Sequence, residues 1–429
     1  MRGPVPGTTA RDGPNVGAVD VRQDQAGAHP TGRGSTTIVP GVAAPDVAAA
    51  DVAVPEIDVL EPEEALLLLR ADPEMFAAHT GRPLLAVRAH GPLAVEVGEL
   101  ARWLPCVLVG VAPDLADLPP GIESAGYDVL LTGEATPPAP WVGPLRPGDG
   151  FTAALGAIAA MTRAVPGACV AFTQLVRYSA GIDVRDAVIA ESFTYSTLQG
   201  GPEFAAWLAG HRAARERREA GAATAPVRAE PIGQPTQPTE PAVLVERDGD
   251  ELWVVLNRPR VHNAVSRDLR DGLAAAFALA GADPTVAEVR LRGAGRSFCS
   301  GGDLTEFGSL PDPARAHAVR TTRSIPLSLL RCARRVTAYM HGTCVGAGVE
   351  VPAFARRVIA DPATTLRLPE LAMGLVPGAG GTSSVVRRVG RERAAFLSLT
   401  GWPLDAATAA NWGLVDEVRP VRGDARPPV

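Results

Sequence analysis

The sequence contains no lysine. All 41 basic residues are arginine, which excludes a Schiff-base mechanism and a phosphate loop built around lysine. The five cysteines form no Cys-x-x-Cys pair, and their odd number favours reduced, buried thiols over a disulfide framework or a zinc site. No apolar run approaches the ~18 residues of a membrane-spanning helix, and the first 20 residues lack the apolar segment of a secretory signal. We therefore expect a cytoplasmic protein without a membrane partner.

The chain also carries little net charge. The formal net charge is −6 and the pI is near 5.7, so no electrostatic feature points to a nucleic-acid partner. The chain has 429 residues, and a domain usually takes roughly 100–200 residues, which favours two or three domains. Its 45 glycines and 40 prolines cluster in part near the N-terminus and in one internal stretch. The composition therefore predicts globular domains joined to disordered pieces.

The first half of the chain divides into three predicted parts. Residues 1–54 lack apolar periodicity and are predicted to be a disordered arm. Residues 55–150 are predicted to be a small α/β unit of unknown role, because one helical stretch is interleaved with β-rich runs. Its predicted elements are a helix at 61–70 and strands at 84–89, 106–112 and 127–133. Residues 151–212 have helical spacing, with one helix from Phe151 and others predicted at 168–180 and 183–211.

A linker is predicted at 213–241, because it begins with a charged run and ends in PIGQPTQPTEP. Residues 242–259 then predict a hairpin of two strands around an Asp-Gly turn. From there to residue 418, strands alternate with helices, which predicts a mostly parallel sheet with its chemistry at strand ends. Residues 419–429 are predicted to be a disordered tail.

Three segments join a strand to a turn of small residues: SFCSGGDL (297–304), HGTCVGAGVE (341–350) and LPELAMGLVPGAGGT (368–382). Backbone N–H groups at strand ends and helix N-termini are fixed donors, and two that converge on one oxygen form an oxyanion hole suited to a thioester enolate. Glu350 lies one helical turn beyond Ala347, and Glu370 precedes a segment able to fold into the same cavity. Two carboxylates that flank a water can remove one proton and deliver another.

Five motifs stand in family order across residues 243–418, and with them this segment resembles the enoyl-CoA hydratase/isomerase (crotonase) family. They are NRPRVHNAVS (257–266), FCSGGDL (298–304), HGTCVGAGVE (341–350), PELAMGLVPGAGGT (369–382) and NWGLVDEV (411–418). The resemblance implies acyl-CoA thioesters as substrates and a homotrimer or hexamer. The expected fold is α/β: a crotonase-like ββα spiral core with covering helices, preceded by the small α/β unit and the disordered N-terminal arm.

The resemblance also implies roles for single residues. The N–H groups of Ser300 and Ala347 would hold the thioester oxygen, Glu350 and Glu370 would be the catalytic pair, and Gly378 would help to position a water. Because both glutamates are present, the resemblance favours an enoyl-CoA hydratase, with syn addition of water across a 2-enoyl-CoA. Glu350 would activate the water for attack at C3, and Glu370 would protonate C2.

Substrate binding is predicted beside this pair. Without lysine, the coenzyme A phosphates need arginine partners, and Arg258 and Arg260 are the candidates. Gly301 and Asp303 are also predicted to contact the substrate, although Asp303 could instead cap the next turn. The resemblance implies neither a metal nor a cofactor, since coenzyme A enters as part of the thioester.

Two alternatives stay open beside a hydratase of fatty acid metabolism. One is other crotonase chemistry on an acyl-CoA, catalysed by an isomerase, a hydrolase or a dioxygenase of specialised metabolism. The long N-terminal extension is the only feature that suggests the dioxygenase. The other alternative is a non-catalytic acyl-CoA-binding subunit.

Crotonases normally continue for several dozen residues beyond a GLVDEV-like segment, in helices that cover the active site, whereas eleven residues follow here. Residues 151–212 resemble that tail in the order of their elements. We therefore predict a circularly permuted or tail-swapped crotonase whose covering helices precede its core. An independent helical domain is the alternative.

Overall fold

The computed structural model describes residues 57–78, 81–145, 150–223 and 240–421. The predicted arm at 1–54, most of the predicted linker and residues 422–429 of the predicted tail lie outside these ranges.

Within the described ranges the chain forms thirteen α-helices and thirteen strands. The helices are α1 (Pro62–Ala71), α2 (Gly91–Ala101), α3 (Phe151–Ala164), α4 (Pro166–Ser179), α5 (Val184–Gln199), α6 (Pro202–Ala223), α7 (Arg267–Ala282), α8 (Pro313–Thr322), α9 (Ile325–Leu329), α10 (Ala347–Glu350), α11 (Gly381–Val389), α12 (Arg391–Thr400) and α13 (Ala406–Asn411). The strands are β1 (Val59–Leu60), β2 (Leu84–Arg88), β3 (Val107–Ala112), β4 (Val129–Thr132), β5 (Val243–Asp248), β6 (Glu251–Leu256), β7 (Glu288–Gly293), β8 (Val336–Met340), β9 (Thr343–Val345), β10 (Arg357–Ala360), β11 (Thr365–Arg367), β12 (Leu404–Asp405) and β13 (Glu417–Val418).

The largest sheet has six strands in the order β13-β10-β8-β7-β6-β5, and all its neighbours are parallel except the β5–β6 hairpin. The hairpin turns at Gly249, whose φ of 58° favours glycine. Along β7 the side chains alternate, so Val289 and Leu291 are buried in the core while Arg290 and Arg292 face the other way. The predicted hairpin and the mostly parallel sheet are confirmed.

A second sheet, in the order β9-β11-β12, carries the segments with the chemical motifs. β9 and β11 are parallel, and Val345 pairs with Arg367 at the end of both strands. A bridge between Cys299 and Cys344 adds the SFCSGGDL segment beside β9. The carboxyl ends of parallel strands meet at one edge, so three motif segments turn at the same place.

The third sheet consists of four parallel strands in the order β1-β2-β3-β4, and three of these are the strands predicted for the small α/β unit. It is buried on both faces, as parallel sheets usually are. Val107 and Val109 on one face of β3 belong to the main hydrophobic core with Ile158 of α3, whereas Leu108 on the other face packs in a cluster with residues of α1 and α2. This sheet is therefore a layer between two sets of helices.

A buried ion pair ties α4 to this third sheet. The guanidinium of Arg177 contacts both carboxylate oxygens of Asp128, at 2.8 and 2.5 Å, and the Asp128 side chain is 1% exposed. Arg177 also donates to the carbonyls of Arg102, Leu104 and Cys106, which precede β3. One side chain thus pairs a buried carboxylate and holds the chain that enters the central strand.

Helices α3 to α6 pack on the second half of the chain. α3 and α4 contact α12, α4 and α5 contact α11, α5 contacts α8, and α6 contacts the short 3₁₀ helix at Glu370–Met373. The covering helices therefore lie on the core of their own chain. Their equivalence to the C-terminal helices of other crotonases stays a prediction.

Two predicted boundaries are wrong. The predicted linker starts at residue 213, but α6 continues to Ala223, because AARERREA is rich in strong helix formers and includes an Arg215–Glu219 ion pair at 3.4 Å. The predicted disordered tail starts at residue 419, but Arg419 N–H donates to Ala360 O and Val421 N–H to Asp361 Oδ2. These bonds anchor the chain to the strand-end region of β10.

None of the helices in the described ranges is long and apolar enough to cross a membrane by itself. The pair α3 and α4, bent by 113° at their junction, passes a test of length and composition when taken together. The apolar side chains of both helices belong to the main hydrophobic core.

Candidate active site

Glu350 and Glu370 lie just beyond the ends of two neighbouring parallel strands. Glu350 ends α10, which follows β9, and Glu370 opens the 3₁₀ helix that follows β11. Gly346, the residue just before α10, has a φ of 52° and donates its N–H to Arg367 O at 2.9 Å. Both glutamates are buried, with exposed fractions of 2% and 8%. The strand pairing therefore brings together the two predicted catalytic residues.

Glu350 is fixed by the N-terminus of α11. The sequence Gly-Ala-Gly-Gly before this helix provides no Ser, Asp or Asn cap, so its first N–H groups need acceptors from elsewhere. Glu350 Oε2 accepts from Ala379 N–H at 2.7 Å and from Gly381 N–H at 2.8 Å. Among the residues that the structure describes, no group donates to Oε1, so this oxygen is available to a reactant.

Glu191 of α5 completes the same helix start. Its Oε1 accepts from Gly380 N–H at 2.7 Å, while its Oε2 accepts from the Thr382 N–H at 3.0 Å and hydroxyl at 2.7 Å. The four successive amides from Ala379 to Thr382 thus donate alternately to Glu350 and Glu191. Glu191 is 2% exposed, and sequence analysis did not predict it as part of the site.

Glu370 lies against the turn that precedes α10. Its Oε1 is 2.3 Å from the position that a Cβ on Gly346 would occupy, and Gly301 Cα is 3.7 Å from that position. Its Oε2 is buried and has no hydrogen-bond partner within the described part of the chain. An uncompensated buried carboxylate is costly, which favours the protonated acid at this position.

The three buried glutamates resist ionisation. Burial raises the pKa of Glu350 to about 7, against the pull of the Ala379 and Gly381 amides. Burial, followed by repulsion from Glu350, raises the pKa of Glu191 to about 8 although three donors stabilise its carboxylate. The pKa of Glu370 is raised well above its ordinary value by burial and by the charge of Glu350. Since these carboxyls titrate as a group, a charged base can stand beside a protonated acid near neutral pH.

The predicted oxyanion hole is placed differently from expectation. Ala347 is the first residue of α10, and its N–H has no protein acceptor in the described ranges. The prediction for Ser300 is wrong, because its N–H already donates to His262 O at 2.9 Å. Two residues later, the Gly302 N–H has no acceptor in the described structure, while its neighbour Asp303 donates to Val265 O. Gly302 therefore replaces Ser300 as the candidate donor.

The predicted substrate-binding residues divide into two groups. Arg258 Nη1 pairs with Asp303 Oδ2 at 2.9 Å, and Asp303 Oδ1 accepts from both the amide and the hydroxyl of Thr305. These contacts contradict the prediction that Arg258 is free to bind the coenzyme A phosphates. They agree with the alternative in which Asp303 caps the next turn. Arg260 is exposed, and Gly301 is buried with a φ of 92°. Substrate contacts by Arg260 and Gly301 stay predictions.

Gly378 lies under an aromatic ring that sequence analysis also missed. A Cβ on Gly378 would be 2.4 Å from the ring atoms of Tyr195, so only glycine permits this packing. Burial raises the pKa of Tyr195 to about 12, opposed by Arg320, whose guanidinium lies 4.2 Å from the ring centroid. The Gly378 N–H has no acceptor in the described structure, and its predicted role toward a water stays a prediction.

No group of three or more His, Cys, Asp or Glu residues that could hold a metal ion occurs in the described ranges. All five cysteines are buried free thiols. Burial raises the pKa of Cys299 to about 12, so this thiol beside the site is neutral at physiological pH.

Sequence comparisons identify relatives for the second half of the chain. The family described as enoyl-CoA hydratase/isomerase matches residues 252–423. A probable enoyl-CoA hydratase of Mycobacterium bovis is 31% identical over 183 residues, which cover 42% of this chain and 70% of that protein. The chain belongs to the enoyl-CoA hydratase/isomerase family.

Two further relatives were compared. A mevalonyl-coenzyme A hydratase of Beauveria bassiana is 34% identical over 180 residues, covering 40% of this chain and 64% of that protein. The chain thus spans slightly less than two thirds of that relative. The crystal structure of an enoyl-CoA hydratase from Thermoplasma volcanium has 33% sequence identity and a TM-score of 0.39, and the match covers 42% of this chain and 72% of that one. The helices and strands of the described ranges confirm the predicted α/β class.

Glu191 and Tyr195 lie outside the family match, which begins at residue 252. One signal for Glu191 was available in the sequence. It falls three and four residues after Val188 and Ala187, both buried, so an acidic residue occupies the apolar face of a helix. Such a position is unusual enough to mark a functional candidate, whereas Tyr195 carried no comparable signal.

Proposed function

We propose that this member of the enoyl-CoA hydratase/isomerase family hydrates 2-enoyl-CoA thioesters. The observation that carries the proposal is the pair of buried glutamates, Glu350 and Glu370, just beyond the ends of adjacent parallel strands, with the Ala347 amide at the start of the same short helix that ends in Glu350. Within the described part of the chain, Glu350 has one carboxylate oxygen without a donor, and Glu370 has a buried oxygen without a hydrogen-bond partner. This is the arrangement that acid–base addition of water requires.

In the proposed reaction, Glu350 Oε1 takes a proton from the water as the water oxygen bonds to C3 of the enoyl group. The π electrons move toward the thioester, and the enolate oxygen accepts hydrogen bonds from the Ala347 and Gly302 amides. Glu370 then delivers its proton to C2, so that water adds across one face of the double bond. The proton on Glu350 returns to Glu370 through solvent exchange, which restores the starting state.

The environment of each acid supports its proposed role. Two backbone amides on Glu350 stabilise its carboxylate, so this residue is the one suited to be the base. Glu370 has a raised pKa and a buried oxygen to which no group of the described ranges donates, and both features suit a proton donor. Each oxyanion donor contributes about 3–4 kcal/mol of transition-state stabilisation in comparable sites.

The test is the hydration of crotonyl-CoA, followed by the loss of the enoyl absorbance. The substitutions Glu350→Gln and Glu370→Gln keep the size of each side chain, and each is expected to lower kcat by about 100-fold or more. Wild-type turnover that survives in both variants would refute the assignment. If the wild type binds an acyl-CoA in calorimetry and never turns it over, the protein is a binding subunit instead.

We also propose a homotrimer or hexamer in the cytoplasm that needs no metal or cofactor. The family resemblance supports an oligomer, and light scattering coupled to size-exclusion chromatography would measure its mass. Full turnover after dialysis against EDTA is the expected result for a metal-independent hydratase, and loss of turnover that is restored by a divalent metal would contradict it.

A further inference from the structure

Glu191 has no place in the two-glutamate mechanism, yet it is more heavily hydrogen-bonded than either catalytic residue. It reaches from α5 to accept three bonds at the start of α11. Glu350 accepts its two bonds from the same four-residue segment, Ala379–Thr382. The two carboxylates therefore share one piece of backbone, and a displacement of one must move the other.

We propose that Glu191 is a positioning residue for the hydration chemistry. It holds the Ala379–Thr382 backbone in the arrangement that keeps the Ala379 and Gly381 amides on Glu350 Oε2 and leaves Glu350 Oε1 facing the reactant. This inference rests on the proposed function. It goes beyond the two-glutamate mechanism by adding a third acid from a part of the chain that the family match does not include.

The geometry distinguishes Glu191 from an ordinary helix cap. Glu203 of α6 offers the comparison, because it accepts from the Gly167 and Ala168 amides at 2.7 and 2.9 Å and so caps α4 in the same manner. The Glu203 carboxylate is not paired with a second carboxylate on that helix start. Glu191, by contrast, shares its helix start with Glu350, whose charge adds to burial in raising the pKa of Glu191.

Several other charged or titratable groups face Glu191, and their effects can be assigned. Arg320 of α8 lies close enough to interact with its charge, as do Tyr195 of its own helix and Glu370. Arg320 donates to the Ser196 hydroxyl and to the side-chain carbonyl of Gln199, which are neutral acceptors, so its positive charge is not compensated by these bonds. Two further ionisable groups beside α5 have hydrogen-bond partners of their own. They are His317, which bonds Ser192, and Arg387, which bonds Ser383 and Ile182 O.

The test compares pH profiles of kcat for the wild type, Glu191→Gln and the matched control Glu203→Gln, with crotonyl-CoA as substrate. Because Glu191→Gln loosens the backbone whose amides stabilise the Glu350 carboxylate, Glu350 becomes harder to ionise, and the acidic limb of Glu191→Gln is expected to move by up to about one pH unit toward higher pH. Its maximum kcat is expected to fall by about tenfold, since the loop loses acceptors for its amides. Glu203→Gln is expected to keep the wild-type limb. A Glu191→Gln limb that coincides with that of the wild type, or an equal movement in Glu203→Gln, would overturn the proposal.

Two further measurements keep the test decisive. Thr382→Val removes only the hydroxyl donor, so Glu191 is held less firmly on this backbone, and the limb is expected to move in the same direction by less. An unmoved limb in a folded Thr382→Val protein counts against the proposal. If the wild type hydrates nothing, the proposed function fails, and the charge coupling is tested by the midpoint of thermal unfolding against pH. The decline of this midpoint between about pH 5 and 8 is expected to be smaller in Glu191→Gln than in Glu203→Gln, and equal declines would overturn the coupling.

Discussion

Substitution of Gly346 by alanine gives the sharpest structural test of the site. Its backbone, at φ 52° and ψ −118°, is in a region that residues with a Cβ rarely adopt, and this strain costs on the order of 1–3 kcal/mol. The new Cβ would also be 2.3 Å from Glu370 Oε1, too close for any contact. Because the end of a glutamate side chain can move, the carboxyl group is expected to leave its position while the fold survives. Gly346→Ala should therefore lose both stability and the proton donor.

The expected loss of turnover is about 100-fold, the lower end of what a positioned general acid contributes. Gly249→Ala is the matched control, because Gly249 also has a positive φ, 58°, but has no atom within 4 Å of its added Cβ. Both variants should unfold at lower temperature in differential scanning fluorimetry, and only Gly346→Ala should lose hydration of crotonyl-CoA. A Gly346→Ala protein with wild-type kcat would show that Glu370 does not act from this position.

Three other predictions follow from the same structure. The free energy of unfolding should fall as the pH rises from about 4.5 to about 8. Glu350 and Glu191 have pKa values of about 7 and 8 in the folded protein against 4.5 in the unfolded chain, so the folded protein keeps protons that the unfolded chain releases. Urea midpoints that increase over this pH range would contradict the prediction. Asp128→Ala should cost about 3–5 kcal/mol in urea unfolding, since it leaves the Arg177 charge buried without its partner, and a loss below about 1 kcal/mol, the size of an exposed pair, would show that the pair is not buried. Gly378→Ala should lower kcat without a change in backbone strain, because the added methyl meets the Tyr195 ring at 2.4 Å, and unchanged kinetics would show that this ring is free to move.

The sequence was sufficient to predict that Glu350 and Glu370 lie close together, because both follow short strands and the motifs fix their distance from those strands. The direction of a backbone amide is a different matter. Ser300 was a reasonable oxyanion donor by its motif, but the pairing with residues 262–265 directs its N–H toward His262 O. The turn at Gly301, with φ of 92°, then leaves the Gly302 amide without an acceptor in the described ranges. Spacing alone does not encode which side of a segment is paired.

Glu191 was missed for a different reason. It lies 159 positions before Glu350 in the chain, and only the packing of α5 on α11 brings it to Ala379–Thr382. No local pattern states which helix start an isolated acid will reach. The end of α6 was predicted too early for a local reason, because the proline-rich residues that follow the helix were given more weight than the helix propensity of residues 213–220.

The position of α3 to α6 on the core has a practical consequence for residues 252–423, the region that matches the family. A fragment limited to residues 252–423 would retain both predicted catalytic glutamates but would lack the helix that supplies Glu191 to the start of α11. It would also expose the apolar side chains of α11 and α12 that α3, α4 and α5 cover, a surface that promotes aggregation. Boundaries drawn for expression or domain exchange therefore need to include residues from 151 onward, even though the recognisable motifs begin about a hundred residues later.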